Sequence, residues 1–320
     1  MPYQHVYGPV PSRRLGRSLG VNPIPFKTCN YSCVYCQLGR TSKMSHERKD
    51  WLDPEAIAGE VDRSMATQGE GIDFVTFVGE GEPALCKSLG WLIDRAKEAA
   101  DVPVAVVTNG SLFYRDDVRD DMARADVVMP TVDAADQDIF QRINRPYGRL
   151  PVGDMIDGLV KFRDRYEGRL WAEVMLVAGV NDTEAALLDL RRALDRIRPD
   201  RVYVNAPIRP PAEPWVKPPD AEGLVRAHAI LGETVFIDHA ESGTFSTEGF
   251  ADPAEAVQMI VRRHPMRRDQ ILETLGTMPG GSANGVLDRM VSDGQIQRVD
   301  YRGQTYFATG VGRFKASDDG

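Results

Sequence analysis

"IDFVTFVGEGEPALCKSLGWLIDRAKEAADVPVAVVTNG", residues 72–110, sets the architecture of this chain. It opens with an apolar run, 72–79, that is rich in β-branched and aromatic residues and short, the mark of a buried strand. "SLGWLIDRAKEAA" then has helical spacing, and "PVAVVTNG" (103–110) is a second strand. Strands that are apolar on both faces and joined through a helix form a parallel βαβ unit, because parallel neighbours need a crossover connection. Each strand ends in a polar, glycine-bearing cluster: "GEGEP" after the first, "TNGS" after the second.

The unit repeats in both directions. Upstream, "SLGVNPIPF" leads into a cysteine-bearing loop, and "PEAIAGEVDRSMATQ" is helical with Asp53 and Pro54 as its start signal. Downstream come a helix in "YRDDVRDDMARA", a strand in "DVVMPTVDA" (126–134) and helix through 166. "LWAEVMLVAG" (170–179) is a strand, and "TEAALLDLRRALDRI" is a long helix capped by Thr183. "RVYVNAPIR" (201–209) and "AEGLVRAHAIL" supply a sixth strand and helix. Six βα units predict an α/β fold on a parallel sheet, either open or part of a barrel. In both, the site lies at the C-terminal strand ends. The cysteine loop, "GEGEP", "TNGS", "VDAAD", "AGVND" and "NAPIRPP" all follow strands and are expected to converge.

Composition sets bounds. The 320 residues can bury one large domain and a small one. Charged residues at 27% and hydrophobic ones at 42% fit a soluble globular protein. A net charge of −8 gives no argument for general nucleic-acid affinity. No apolar run approaches the ~20 residues that span a bilayer, and the N-terminus has no signal core. The expected location is the cytoplasm, where thiols stay reduced.

Near residue 262 the pattern changes. "RRHPMRRDQILETLG" reads as a helix, "SANGVLDRMVSDG" as a second one with Ser282 as cap and Gly294 as stop, and "QIQRVDYRGQTYFAT" as a hairpin with Arg302-Gly303 at its tip. The expected organisation is a large domain over 1–250, a linker over 251–261 and a small domain over 262–320. Two helices and a two-stranded wing resemble a winged-helix module. Its 9 Lys/Arg and 7 Asp/Glu give it +2, leaving −10 for the rest. A nucleic-acid reader usually carries a stronger basic face, so a structural or docking role is favoured over nucleic-acid contact.

Three of the four cysteines sit in "KTCNYSCVYCQLGRT" (27–41) as C-x3-C-x2-C: Cys29, Cys33 and Cys36. Zinc would want a fourth ligand, and His5, His46 and Cys86 do not stand in a zinc pattern. A [4Fe–4S] cluster normally takes four cysteines, so three leave one iron open. Cys86, at the start of the helix after strand 72–79, reads as a small buried apolar residue.

With Tyr35 before the third cysteine, this motif resembles the signature of the radical S-adenosylmethionine (SAM) superfamily. The resemblance implies a partial (βα)6 TIM-like barrel and one [4Fe–4S] cluster on Cys29, Cys33 and Cys36. It also implies that the SAM amine and carboxylate chelate the open iron. One electron then cleaves SAM to a 5′-deoxyadenosyl radical that abstracts hydrogen from a substrate. Gly81-Glu82-Pro83 looks like the family's glycine–glutamate motif, with Glu80 where a glycine usually stands. Asn109 and Asp133 stand where the family places polar contacts to SAM, Asp133 facing ribose; Asn144 and Arg145 are further candidates, Arg145 for the SAM carboxylate. "AGVND" (178–182) resembles the segment that lies along adenine. "YGPVPSRRLGRSLGVNPIP", the cysteine stretch and "NAPIRPPAE" look typical of an Fe–S oxidoreductase subgroup similar to wyosine-base synthases. Those synthases carry a second cluster on cysteines upstream, and none precedes Cys29 here, so no second cluster of that kind is expected.

On the substrate side the candidates are Arg13 and Arg14, whose forks suit an anion, together with Glu173, Asn205 and Arg209 at strands and strand ends. Glu173 has the alternative of pairing with an arginine in the core. Lys27 is expected to support an anionic cluster electrostatically, Tyr301 and Tyr306 to pack on the wing, and His239 to be a satisfied histidine or a catalytic one. The expected partner is a flavodoxin or ferredoxin as electron donor. The competing class is a redox-sensing nucleic-acid-binding regulator. A sensor needs the cluster alone and has no use for polar residues at successive strand ends, so the enzyme is favoured.

Overall fold

In the computed structural model the described residues are 3–69, 71–99, 101–237, 245, 250, 252–276 and 282–310. The chain opens on β1 (Val6–Ser12) and β2 (Gly16–Val21), and the cysteine loop carries the short β3 (Thr28–Cys29) and β4 (Lys43–Met44). Then follow α1 (Pro54–Gln68), β5 (Phe74–Phe77), α2 (Leu89–Ala99), β6 (Val104–Thr108), α3 (Asp116–Met122) and β7 (Val127–Pro130). Next are α4 (Gln137–Ile143), α5 (Val152–Arg163), β8 (Arg169–Met175), α6 (Glu184–Ile197), β9 (Arg201–Asn205), α7 (Ala221–Leu231) and β10 (Val235–Ile237). Last come α8 (Pro253–Arg263), β11 (Met266–Arg267), α9 (Arg268–Gly276), α10 (Ala283–Ser292), β12 (Ile296–Tyr301) and β13 (Gln304–Thr309).

The large sheet has the order β1-β2-β5-β6-β7-β8-β9-β10. All its pairings are parallel except β1 with β2. The six βα units are present, and the curled half-barrel is the expected partial TIM-like fold. Two edge strands extend it. Hairpin strand β1 carries prolines, which suit an edge, and β10 is a three-residue seventh parallel strand. The stretch expected as helix through 166 is two helices, broken before Pro151.

The helices form for local reasons. Asp53 accepts from the Glu55 N–H to cap α1, with Pro54 in its first turn. Thr183 caps α6 through the Ala186 N–H. Their apolar faces pack on the sheet around Leu19, Phe77, Leu89, Phe113, Phe140 and Phe162. Each such fully buried side chain contributes about 1.5–3 kcal/mol. Cys86 belongs to this core.

The stretch expected as a linker, 251–261, is largely helical. Residues 253–263, placed in the linker and at the first residues of the small domain, are the helix α8, with Asp252 as cap and Pro253 at its start. Val257, Ile260 and Val261 of α8 pack with Ile271, Leu275, Leu287, Met290 and Phe307. The two expected helices and the hairpin follow, with β11 joining the hairpin as a third strand. Among the described residues no helix is long and apolar enough to cross a membrane.

Candidate cluster and cofactor site

The cysteine loop leaves β2 and returns along the segment after α4. Val34 N–H donates to the Ile143 carbonyl (2.9 Å), Ser32 N–H to that of Asn144 (3.0 Å), and Tyr147 N–H to that of Asn30 (2.8 Å). Backbone pairing thus brings Asn144 and Arg145 to the cysteines. A tight turn links two of the cysteines, Cys36 N–H donating to the Cys33 carbonyl at 3.2 Å.

All three thiols are free and partly exposed, and each has an N–H donor. The Tyr31 N–H lies 3.3 Å from Cys29 Sγ and Asn109 Nδ2 3.7 Å. Asn144 Nδ2 lies 3.6 Å from Cys33 Sγ, and Lys27 Nζ 3.1 Å from Cys36 Sγ. Burial, with the Glu82 carboxylate adding to it, pushes the Cys29 thiol up to about 12. Burial also raises Cys33, against the pull of the Asn144 amide. Lone thiolates are disfavoured here, and a cationic group that displaces the protons supplies the missing counter-charge. Among the described residues no three His, Cys, Asp or Glu side chains converge on a single-ion position. The fit to a larger sulfur-ligated group rests on the donors aimed at the sulfurs, which is how such clusters are held and tuned.

The strand-end clusters meet beside this loop. Glu82, after β5, is buried; its carboxylate accepts from the Ala84 N–H (3.0 Å), the Thr108 hydroxyl (2.6 Å) and the Asn109 N–H (2.7 Å). It therefore ties the second strand end to the third. Gly81 is required there, because a Cβ would stand 1.8 Å from the Thr28 carbonyl oxygen. Asn109 donates to Asn30 Oδ1 (2.7 Å), whose own amide donates to Ser111 Oγ (2.6 Å).

Asp133, after β7, is the hub of the other side. Its carboxylate accepts from Tyr35 Oη (2.5 Å), Asn144 Nδ2 (2.7 Å) and the Met175 N–H (2.8 Å). Asn181, in the "AGVND" segment, donates to the carbonyls of Asp133 and Met175. Burial pushes the Asp133 carboxyl up to about 6. Both Asp133 oxygens and the Glu82 carboxylate are thus engaged by protein donors. Arg145, at a φ of 48°, donates to buried Glu213 at 2.5 Å, and Arg40 grips the same carboxylate at 2.7 and 2.9 Å. Glu213, Asn30 and Gln37 did not stand out in the sequence. Glu213 is the last residue of the "NAPIRPPAE" stretch, which is the signal the sequence offers for it.

The substrate-side candidates gather elsewhere in the barrel. A chamber of about 150 Å³ lies inside β1, β2, β5 and β6, bounded by Gln37 of the cysteine loop and by α8. Arg13, Arg14, Arg209, Arg263 and His264 line it, and no Asp or Glu does among the described residues. Glu173 pairs with Arg14, the alternative expected for it. Arg209 donates to Gln37 Oε1, next to Cys36. Asn205 is buried at the end of β9, its side-chain oxygen without a hydrogen-bond partner among the described residues. His239 lies outside the described residues.

The C-terminal unit closes onto this region. Arg262 and Arg263 both reach the buried Glu80 carboxylate at 3.1 Å. Gln37 Nε2 donates to the Arg263 carbonyl (3.3 Å). Tyr301 of β12 and Tyr306 of β13 donate to the carbonyls of Pro207 (2.6 Å) and Ile208 (3.0 Å), beside Arg209.

Comparisons with known proteins agree with this arrangement. A family model described as the radical SAM superfamily matches residues 24–190. The chain is 36% identical to a UPF0026 protein of Methanocaldococcus jannaschii over 95% of this chain and 96% of that protein. It is 35% identical to a UPF0026 protein of Helicobacter pylori over 64% of this chain and 67% of the relative. A radical SAM methyltransferase from Sphaerobacter thermophilus shares the fold, with a TM-score of 0.51 at 19% identity, over 71% of this chain and 67% of that one. Streptococcus suis SuiB bound to S-adenosylmethionine superposes with a TM-score of 0.50 at 13% identity, over 70% of this chain and 47% of that one. The cysteine loop, the strand-end polar clusters and the matched half of the sequence together place the chain in the radical SAM superfamily.

Proposed function

We propose that this protein is a radical SAM enzyme with one [4Fe–4S] cluster on Cys29, Cys33 and Cys36, acting on a small anionic substrate in the barrel chamber. When bound, cluster and SAM supply reductive cleavage of the sulfonium to a 5′-deoxyadenosyl radical, which takes a hydrogen atom from the substrate. The observation that carries the reading is the set of N–H donors on all three sulfurs, drawn from three separate parts of the chain: the cysteine loop itself, the segment after β6 and the segment after α4.

The chain's own residues divide the work. Asn144 and Asn109 hold the sulfurs and face the cofactor side. Asp133 orients Tyr35 and Asn144, so its part in SAM binding is exerted through them. Glu82 fixes the Gly81–Pro83 turn so that its backbone can meet the SAM amine. Arg145 offers its remaining donors to the SAM carboxylate while Glu213 anchors it. Arg13, Arg14 and Arg209 recognise the substrate anion, since guanidinium forks fit carboxylate and phosphate. A one-electron donor of the flavodoxin or ferredoxin class is the proposed partner. The wing tyrosines are spent on barrel carbonyls, which supports a role for the C-terminal unit in closing the chamber.

Cys33→Ala tests the ligand set. After anaerobic reconstitution the variant should lose most of the iron that the wild type takes up, and its affinity for SAM with it. A full complement of iron in the variant would remove Cys33 from the ligands.

A further inference from the structure

Lys27 is an unusual residue for its position. It is 5% exposed, and its φ of 54° lies in the region that favours glycine. Its backbone is pinned on both sides: the N–H donates to the Glu80 carbonyl (2.6 Å) and the carbonyl accepts from the Lys43 N–H (3.1 Å). Glycine would meet those backbone demands without strain, so a lysine here points to a use for the side chain. That side chain ends 3.1 Å from Cys36 Sγ. The two carboxylates on the adjacent turn are committed elsewhere, Glu80 to Arg262 and Arg263, and Glu82 to Thr108, Ala84 and Asn109. A buried ammonium needs a counter-charge, and the three cysteine sulfurs are the groups placed to give it.

We propose that Lys27 sets the reduction potential of the cluster by holding its ammonium against Cys36, making the cluster easier to reduce. Reduction adds one negative charge to a group already ligated by thiolates. A fixed positive charge in a poorly solvated site stabilises that added charge more than it stabilises the oxidised form. Hydrogen bonds to the sulfurs act in the same direction. The inference rests on the cluster assignment above and requires nothing of the substrate. Lys27 is a positioning residue, since it acts on the metal group through a ligand.

The test is a redox titration of reconstituted full-length protein without SAM, followed by EPR, in the wild type, Lys27→Met, Lys27→Gln and Lys27→Arg. Met, Gln and Arg meet the same backbone strain as Lys, so the comparison isolates the charge and the donor. Lys27→Met should keep its iron while its equilibrium constant for reduction falls at least tenfold, a shift of about 59 mV for one electron. Lys27→Gln should shift in the same direction and Lys27→Arg by less than the methionine variant. An intact cluster with an unmoved midpoint in Lys27→Met would overturn the proposal. Loss of iron in both neutral variants with retention in Lys27→Arg would make Lys27 a determinant of assembly and would also overturn it. A wild type that takes up no cluster would instead defeat the functional reading on which this one rests.

Discussion

Asp133 shows how much of the site depends on single buried groups. One carboxylate orders Tyr35, Asn144 and the backbone of β8, and burial holds its carboxyl at about 6. The unfolded chain's value is near 3.9, so the native state binds more protons between the two. Stability from this group is therefore greatest below about pH 4 and falls as pH rises to about 6, where it levels off. The cost at neutral pH is on the order of 3 kcal/mol. Asp133→Asn removes this titration. In urea unfolding of cluster-free protein, the stability of the variant relative to the wild type should rise by that order between about pH 4 and pH 6–7. A difference independent of pH would contradict the burial argument. The sequence announced Asp133, Asn109 and Asn144 because each follows a strand or helix in a recognisable cluster. It did not announce that Asp133 would spend its oxygens on protein donors, since Tyr35 and Asn144 meet it only after the cysteine loop pairs with the 143–147 segment.

At the scale of elements, the turn after β5 and the cysteine strand are in backbone contact, with Glu82 N–H donating to the Thr28 carbonyl (3.1 Å). Gly81→Ala puts a Cβ into that carbonyl and must push the two apart. The expected loss is about 1–3 kcal/mol, the usual cost of forcing extra volume into packed structure, along with weaker iron retention. Thermal unfolding and iron content check it; wild-type values in both would show that the turn has room. The core strands are legible because most of them are near-continuous apolar runs. β10 is too short to read as one, and β1 is interrupted by prolines that an edge tolerates. α8 carried the same Asp-Pro start signal as α1, at Asp252 and Pro253. The change in composition falls at 262, where α8 is ending, so the sequence pattern leaves most of α8 in the linker.

Across the whole molecule, the C-terminal unit is tied to the cysteine-loop side of the barrel. Glu80 links the second strand end to Arg262 and Arg263, and the carbonyl of Arg263 accepts from Gln37, beside Cys36. Glu80 is 1% exposed, and its carboxyl is pushed up by burial while both arginines pull it down. Removing one partner of such a pair leaves the other charge buried, so the two units are expected to stand or fall together. Glu80 stands where the resemblance leads one to expect a glycine, and its carboxylate is held by Arg262 and Arg263; no local pattern in the sequence could have named partners so far along the chain. The central claim, a SAM-cleaving cluster on Cys29, Cys33 and Cys36, is tested most directly on anaerobically reconstituted protein. It would be reduced with dithionite and mixed with SAM, and the EPR spectrum and 5′-deoxyadenosine recorded together. The account predicts a reduced-cluster signal that changes on adding SAM, with 5′-deoxyadenosine formed. A cluster whose signal ignores SAM, with no 5′-deoxyadenosine, would contradict it.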